Sequence, residues 1–365
     1  MREQVFRAPE FEVVRVPGAD DGPVFVTFDS LGDPLPPGRA GFGEAFLAKH
    51  GFETYHVIHT TNAWYQYPQM RTALDQVRAR IAPERPVITY GSSMGGYAAY
   101  RFSGVLNAAR VIAFSPQYSI DPARVPWERR WRRLAEGLPQ LWDQLPVGAQ
   151  AEAFLFYDSK AQDRRHARLI GREMRARPVR LPDGGHPCIT LLQELGLLGP
   201  TIRAIAAGRF DPAACEVRVR ALRDTSARYL STRALRLPRL AGPRRLALAA
   251  QAVALAPNDP WYLVAHGRVL AAHGAWAEAE VRFAEAMALL PDHIPLLFEY
   301  RRFLMKAGRW DEAEAAVMRA MELSPHALSY PREISAIRAA RAHAARPAVV
   351  RLLSRLVRRD ALRGL

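Results

Sequence analysis

The 365-residue sequence has only two cysteines, Cys188 and Cys215, and only three lysines, Lys49, Lys160 and Lys306. Two thiols cannot build a disulfide framework, and neither lies in a CxxC or histidine-rich spacing, so no metal site is expected. The chain also lacks any run of the roughly 20 apolar residues that a bilayer span requires. Its opening stretch, MREQVFRAPEFEVVRVPG, has no apolar centre of a signal peptide. These absences predict a cytoplasmic chain that needs no metal and no other cofactor. With lysine so scarce, the formal net charge of +15 is carried almost wholly by arginine.

Apolar matter is ample: 49% hydrophobic and 9% aromatic residues support packed cores rather than disorder. Strand-like runs at 11–16, 23–28, 53–58, 86–90, 110–114, 153–157 and 178–181 alternate with helical stretches at 40–50, 70–81, 94–103 and 164–175. Such alternation predicts an α/β domain over residues 1–205, a mostly parallel sheet with helices on both faces and the site at the carboxyl ends of its strands. The segment 117–150 interrupts the pattern, with Trp127, Trp131 and Trp142 among Arg129, Arg130, Arg132 and Arg133. It is too long for a simple connection. Two readings stand: a cap over the strand ends, or an excursion packing its tryptophans on the domain surface.

Residues 206–234 read as a linker, and from about residue 235 the texture becomes alanine, leucine and arginine at helical spacing. Pro257, Pro291 and Pro325 recur every 34 residues. The same offset relates Gly274 to Gly308, Trp276 to Trp310, Glu278 to Glu312, Ala279 to Ala313 and Ala286 to Ala320. This period resembles the tetratricopeptide repeat, a helix–turn–helix unit that buries a core only by stacking on its neighbours. Two repeats are readable, 260–291 and 294–325, behind a degenerate helix at 243–256. Arg301 stands where the first repeat has Gly267. The resemblance implies an all-helical domain over 235–330 and a protein partner for it.

Residues 331–365 hold nine arginines against Glu333 and Asp360. They read as basic capping helices, with Val349, Val350, Leu353, Leu356 and Val357 on an apolar face that closes the stack. Contact of that face with an anionic membrane is the rival, and nucleic acid is not expected as a partner.

The chemistry-bearing motif is Pro86–Tyr100, P-V-I-T-Y-G-S-S-M-G-G-Y-A-A-Y. A β-rich run ends at Gly91 and a helical pattern follows Gly96, so Gly91-Ser92-Ser93-Met94-Gly95 fits G-x-S-x-G between strand and helix. A nucleophile on so tight a turn needs small residues two positions to either side, and this spacing selects Ser93 rather than Ser92. At the start of the following helix the Met94 amide is placed to receive a developing oxyanion.

With that motif on a parallel sheet, residues 20–200 resemble the α/β-hydrolase superfamily, whose triad runs nucleophile, acid, histidine. The resemblance implies a histidine after the last strand, where P-D-G-G-H-P supplies His186, and an acid after the strand before it, where Asp158 ends A-F-L-F-Y. Asp163 is the alternative acid, set aside because it reads as the N-cap of the next helix. The second oxyanion donor is expected on the loop after 23–28, at the Ser30 amide, although no HGGG-type loop is present. Asp29 and the run Asn62, Trp64, Tyr65 and Gln66 are candidate pocket residues. The reading is a serine hydrolase cleaving an ester of a small molecule, glycan or peptide through an acyl-enzyme. The same triad would also serve an acyltransferase. A different class remains open too, a scaffold protein that uses its repeats and has little or no catalysis.

Overall fold

The computed structural model describes residues 2–19, 21–32, 36, 38–324 and 330–345. The chain divides into two units, Met1–Thr232 and Arg233–Leu365. The first contains eight strands: β1 Glu3–Arg7, β2 Phe11–Val16, β3 Val24–Phe28, β4 Thr54–His59, β5 Val87–Ser92, β6 Ala108–Phe114, β7 Glu152–Tyr157 and β8 Arg175–Arg180. They form one sheet in the order β1-β2-β4-β3-β5-β6-β7-β8. Strand β2 runs antiparallel to β1 and β4, and every pairing from β4 to β8 is parallel.

Central strands β3, β4 and β5 are buried at every position, as expected for apolar strands covered on both faces. The covering helices are α1 Glu44–Lys49, α2 Met70–Ala79, α3 Met94–Arg101, α4 Arg132–Ala135, α5 Asp163–Ile170, α6 Ile189–Glu194, α7 Leu198–Ala206, α8 Pro212–Leu222 and α9 Ala227–Arg236. Helix α3, buried along its whole length, packs against β3, β5 and β6 and so carries its first residue to the middle of the sheet.

Two edge elements differ from expectation. The first strand, EQVFR, was not anticipated, and β8 starts at Arg175, inside the stretch read as helix. Both are sheet edges whose exposed positions carry polar or charged residues, so neither presents an apolar run. Pro178 is tolerated in β8 because an edge strand need not donate on both sides.

Where a linker was expected at 206–234, the chain forms α8 and most of α9. Asp211 caps α8 by accepting from the Ala213 N–H at 2.9 Å, with Pro212 at the first helical position. The helix buries Cys215 and Val219 and packs on β8, where Glu216 accepts the Arg180 N–H at 2.8 Å. The segment 117–150 is largely irregular apart from the single turn of α4. Its Trp131, Leu134, Leu138 and Trp142 pack against the core of the sheet unit.

The second unit contains α10 Gly242–Leu255, α11 Pro260–Ala272, α12 Trp276–Leu289, α13 Ile294–Ala307, α14 Trp310–Leu323 and α15 Tyr330–Ala344. The 34-residue period has a direct packing basis: Ala279, Ala286, Ala313 and Ala320 are all fully buried where paired helices approach. Gly274 and Gly308 turn the chain in the left-handed region, with φ of 85° and 79°. A Cβ on Gly267 would lie 2.9 Å from the Phe283 ring. At the equivalent place in the next repeat Arg301 lies over the Phe298 ring, 5.4 Å from its centre, and pairs with Glu333 of α15. Helix α15 packs on α14, and the apolar face expected at 349–357 lies outside the described residues.

Candidate active site

Between the end of β5 and the start of α3, Ser93 occupies φ 53°, ψ −116°, a conformation that non-glycine residues adopt only when their surroundings enforce it. The flanking glycines show what enforces it. A Cβ on Gly91 would fall 2.2 Å from Gly95 O, and one on Gly95 would fall 2.1 Å from Phe28 O and 2.8 Å from Asp29 O. The turn therefore closes on itself and against the loop leaving β3. The Ser93 N–H is used by Phe114 O at 2.8 Å, which ties the turn to β6. Met94 begins α3, where an amide has no acceptor within its own helix.

His186 lies on the loop after β8. Its Nε2 is 2.9 Å from Ser93 Oγ, and its Nδ1 is 2.8 Å from Asp163 Oδ2. The expected pairing of His186 with Asp158 is corrected here. Asp163 sits in the first turn of α5, but Gln162 occupies the cap position and no side chain caps the helix. Freed from capping, the Asp163 carboxylate turns to the histidine. Burial pushes this carboxyl up, yet the hydrogen bond and electrostatic pull of the His186 ring and the positive charge of Arg130 outweigh it and hold it at about 2.

Asp158 has a different task. Its Oδ1 accepts the N–H groups of Lys160 at 2.9 Å and Asp183 at 3.2 Å, and its Oδ2 accepts that of Gly185 at 2.8 Å. It shapes the loop on which His186 rides.

The loop after β3 lies against the turn that carries Ser93. Ser30 Oγ donates to Ser92 O at 2.9 Å, and Ser30 O meets His59 Nε2 at 3.0 Å. Burial lowers His59 to about 4, so the ring is neutral and donates to that carbonyl. Asp29 pairs with Arg39 at 2.6 Å, but burial dominates and raises its carboxyl to about 6.

Of the candidate pocket residues, Asn62, Tyr65 and Gln66 have their polar groups engaged within the domain, whereas the buried Trp64 Nε1 has no hydrogen-bond partner among the described residues. Asn62 bridges both main-chain groups of Gly32, Tyr65 donates to Asp29 O at 2.8 Å, and Gln66 holds Trp64 O and Tyr97 Oη and accepts the Trp142 N–H. Trp64 is fully buried against Trp131 at 4.9 Å, and Trp131 lies 5.9 Å from the His186 ring. Cys188, two residues after His186, is fully buried, and burial pushes its thiol up to about 12, so it is held as the thiol rather than the thiolate.

One group beside the site was not singled out from sequence. Arg130 Nη1 lies 2.7 Å from Asp163 Oδ1, and the same guanidinium pairs with Glu128 at 2.6 Å. In the sequence it is one of four similar arginines, and only the fold distinguishes it. Among the described residues no cluster of metal-binding side chains occurs, and no helix is long and apolar enough to cross a membrane.

Residues 270–330 match the model of the tetratricopeptide repeat family. No curated protein matches the chain. Among solved structures, an α/β hydrolase enzyme from a Medee basin deep-sea metagenome library is similar at 13% identity, over 58% of this chain and 89% of its own, with a TM-score of 0.41. The capsule O-acetyltransferase of Neisseria meningitidis serogroup A is similar at 10% identity, over 55% and 93%, with a TM-score of 0.39. The first tetratricopeptide domain of Spaghetti, bound to an HSP90 peptide, is similar at 17% identity, over 33% and 95%, with a TM-score of 0.27. The strand order, the tight strand-to-helix turn and the 34-residue repeat together make this chain an α/β-hydrolase fold followed by tetratricopeptide-like repeats.

Proposed function

We propose that the chain is a serine hydrolase that cleaves an ester or related acyl bond through an acyl-enzyme on Ser93. The observation that carries this reading is the continuous hydrogen-bond chain from Ser93 Oγ through both nitrogens of His186 to Asp163. Asp163 accepts the Nδ1 proton of His186, which leaves Nε2 as the acceptor for the Ser93 hydroxyl. Ser93 Oγ attacks the acyl carbon while its proton passes to His186 Nε2, and Asp163 stabilises the imidazolium that results. The oxyanion takes hydrogen bonds from the Met94 amide and, as second donor, from the Ser30 amide. Collapse breaks the acyl–oxygen bond, and His186 returns its proton to the departing alcohol. Water, deprotonated by His186, then attacks the acyl-enzyme and restores Ser93.

The substrate is an acyl ester of a small molecule, glycan or peptide, seated beside Trp131. For the repeats we propose a protein partner, the ordinary use of stacked helical pairs. A pocket of about 300 Å³ lined by Arg268, Glu299, Arg302 and Lys306 offers charged side chains to it. A fluorophosphonate probe tests the catalytic reading. Labelling of the wild-type chain and none of Ser93→Ala is expected, and an unreactive wild type would leave a scaffold.

A further inference from the structure

Behind the triad acid stands a charged cluster whose other members, Arg130 and Glu128, the chemistry above does not use. Glu128 and Asp163 are carboxylates with fully buried side chains, one from the 117–150 segment and one from α5. Arg130, its side chain 28% exposed, reaches in from the rim and spans them. Its Nη1 meets Asp163 Oδ1 at 2.7 Å, its Nη2 donates to Glu128 Oε2 at 2.6 Å, and its Nε lies 3.1 and 3.0 Å from the two Glu128 oxygens.

Glu128 is anchored in turn. It accepts the Arg130 N–H at 2.8 Å and meets His166 Nε2 at 2.9 Å. His166 Nδ1 accepts the Tyr118 N–H at 3.1 Å, so the His166 proton sits on Nε2 and is donated to Glu128. The Trp127 ring covers His166 at 4.5 Å, and the Arg165 guanidinium lies 4.3 Å above Trp127. Burial disfavours the charged imidazole of His166, and the Glu128 carboxyl is held near 2 because its hydrogen bonds from His166 and Arg130 outweigh its burial.

Asp163 therefore gives one oxygen to His186 and the other to Arg130. The ion pair with Arg130 opposes a swing of the carboxylate away from the imidazole, and the charge His186 feels is that of Asp163 less the part Arg130 cancels. We propose that Arg130 is a positioning residue for the Asp163–His186 pair, and that Glu128, held by His166, sets how much of the arginine's charge reaches that pair. This rests on the triad reading.

His186 also faces the Ser93 hydroxyl at the head of α3 and the Trp131 ring. Around Asp163 stand neutral His166 on the same helix and neutral Cys188, with Asp158 and the Lys160–Asp183 pair, 2.7 Å apart, in the adjoining loops. None of them is altered by the substitutions below.

The two halves of the cluster push His186 in opposite directions. In Glu128→Gln the amide oxygen still accepts from His166, but Arg130 now turns its whole charge on Asp163, which weakens the pull on the imidazolium. In Arg130→Met that opposing charge is gone and the pull strengthens. The test is the pH profile of kcat/KM for p-nitrophenyl acetate with the full chain, whose acid limb reports His186 in the free enzyme. The limb is expected to move down by about one pH unit in Glu128→Gln and up by about one in Arg130→Met, with Arg130→Lys close to wild type.

Limbs that stay in place while activity falls, or that move in the same direction, would overturn the proposal. Should Arg130→Met fail to fold, Glu128→Gln against Arg130→Lys still decides it, because only the first is expected to shift. A wild type that neither labels with fluorophosphonate nor hydrolyses the ester defeats the triad reading itself. A labelled wild type with unmoved limbs defeats this inference alone.

Discussion

Asp158 Oδ2 accepts the Gly185 N–H at 2.8 Å, one residue before the histidine whose Nδ1 meets Asp163. The carboxylate ending β7 therefore holds the main chain of the loop, while the carboxylate beginning α5 holds the imidazole. Substitution separates these tasks. Asp163→Asn is expected to lower kcat by about 10⁴-fold with a modest change in Tm, because an amide favours the wrong imidazole tautomer. Asp158→Asn weakens three main-chain hydrogen bonds, costs about 1–3 kcal/mol of stability and leaves far more of the activity. Active-site-titrated kcat and thermal melts of both variants check this, and a larger activity loss in Asp158→Asn would reverse the assignment.

The packing around Gly95 yields a second expectation. Its missing side chain lets α3 start against Phe28 O and Asp29 O, where a Cβ would be 2.1 and 2.8 Å away. Gly95→Ala must push either the β3 loop or the nucleophile turn aside, at a cost of about 3 kcal/mol, and displace Ser93 enough to slow fluorophosphonate labelling by about 10²-fold. Gly22→Ala is the control: nothing lies within 4 Å of its Cβ position, so stability is expected to change by less than about 0.5 kcal/mol. Labelling rates and urea midpoints distinguish the two.

These two sites also mark where sequence reading reaches and where it stops. The central strands were legible because residues buried on both faces leave unbroken apolar runs, and the repeats because stacked helices reuse the same small residues every 34 positions. The turn at Ser93 was legible for a similar reason, since close main-chain approach admits glycine alone. Edge strand β1 and the first half of β8 were hidden by their polar and charged, half-exposed positions. The choice between Asp158 and Asp163 depends on which carboxylate the loop after β8 meets, and no local pattern encodes that. An N-cap role for Asp163 was a sound local inference overridden by a tertiary partner. Arg130 was hidden among its neighbours for the same reason.

Acid should destabilise the sheet unit before the carboxylates of the triad cluster titrate. Burial lowers both His56 and His59 to about 4 from an ordinary value of 6.5. His56 is lodged between Thr27 Oγ1 at 2.6 Å and Thr54 Oγ1 at 2.7 Å. A folded value below the unfolded one means the stabilising contribution is complete above pH 6.5 and is lost as pH falls through 4. Each histidine contributes roughly 3 kcal/mol over that window. Asp29 works the other way: its carboxyl, raised to about 6 from 3.8, favours the folded state as pH falls, by roughly 3 kcal/mol. Two histidines outweigh one aspartate, so urea unfolding is expected to show net loss of stability between pH 6.5 and 4. His56→Gln should flatten that slope and Asp29→Asn should steepen it, and a wild type equally stable at both ends contradicts the balance.

In the second unit the departure from the repeat pattern at position 301 makes its own prediction. Gly267 admits the Phe283 ring, whereas Arg301 fills the equivalent place with a buried side chain whose guanidinium lies over the Phe298 ring and pairs with Glu333 of α15. The arginine thereby connects the last full repeat to the helix that closes it, through packing and charge together. Arg301→Ala removes both and leaves Glu333 with one fewer donor, for a loss of about 1–3 kcal/mol. Arg301→Met keeps the stem and should recover part of that loss. Double-mutant cycles with Glu333→Gln measure the ionic share: a coupling near zero, with Arg301→Met as stable as wild type, would assign the whole effect to burial of the aliphatic stem and none to the guanidinium.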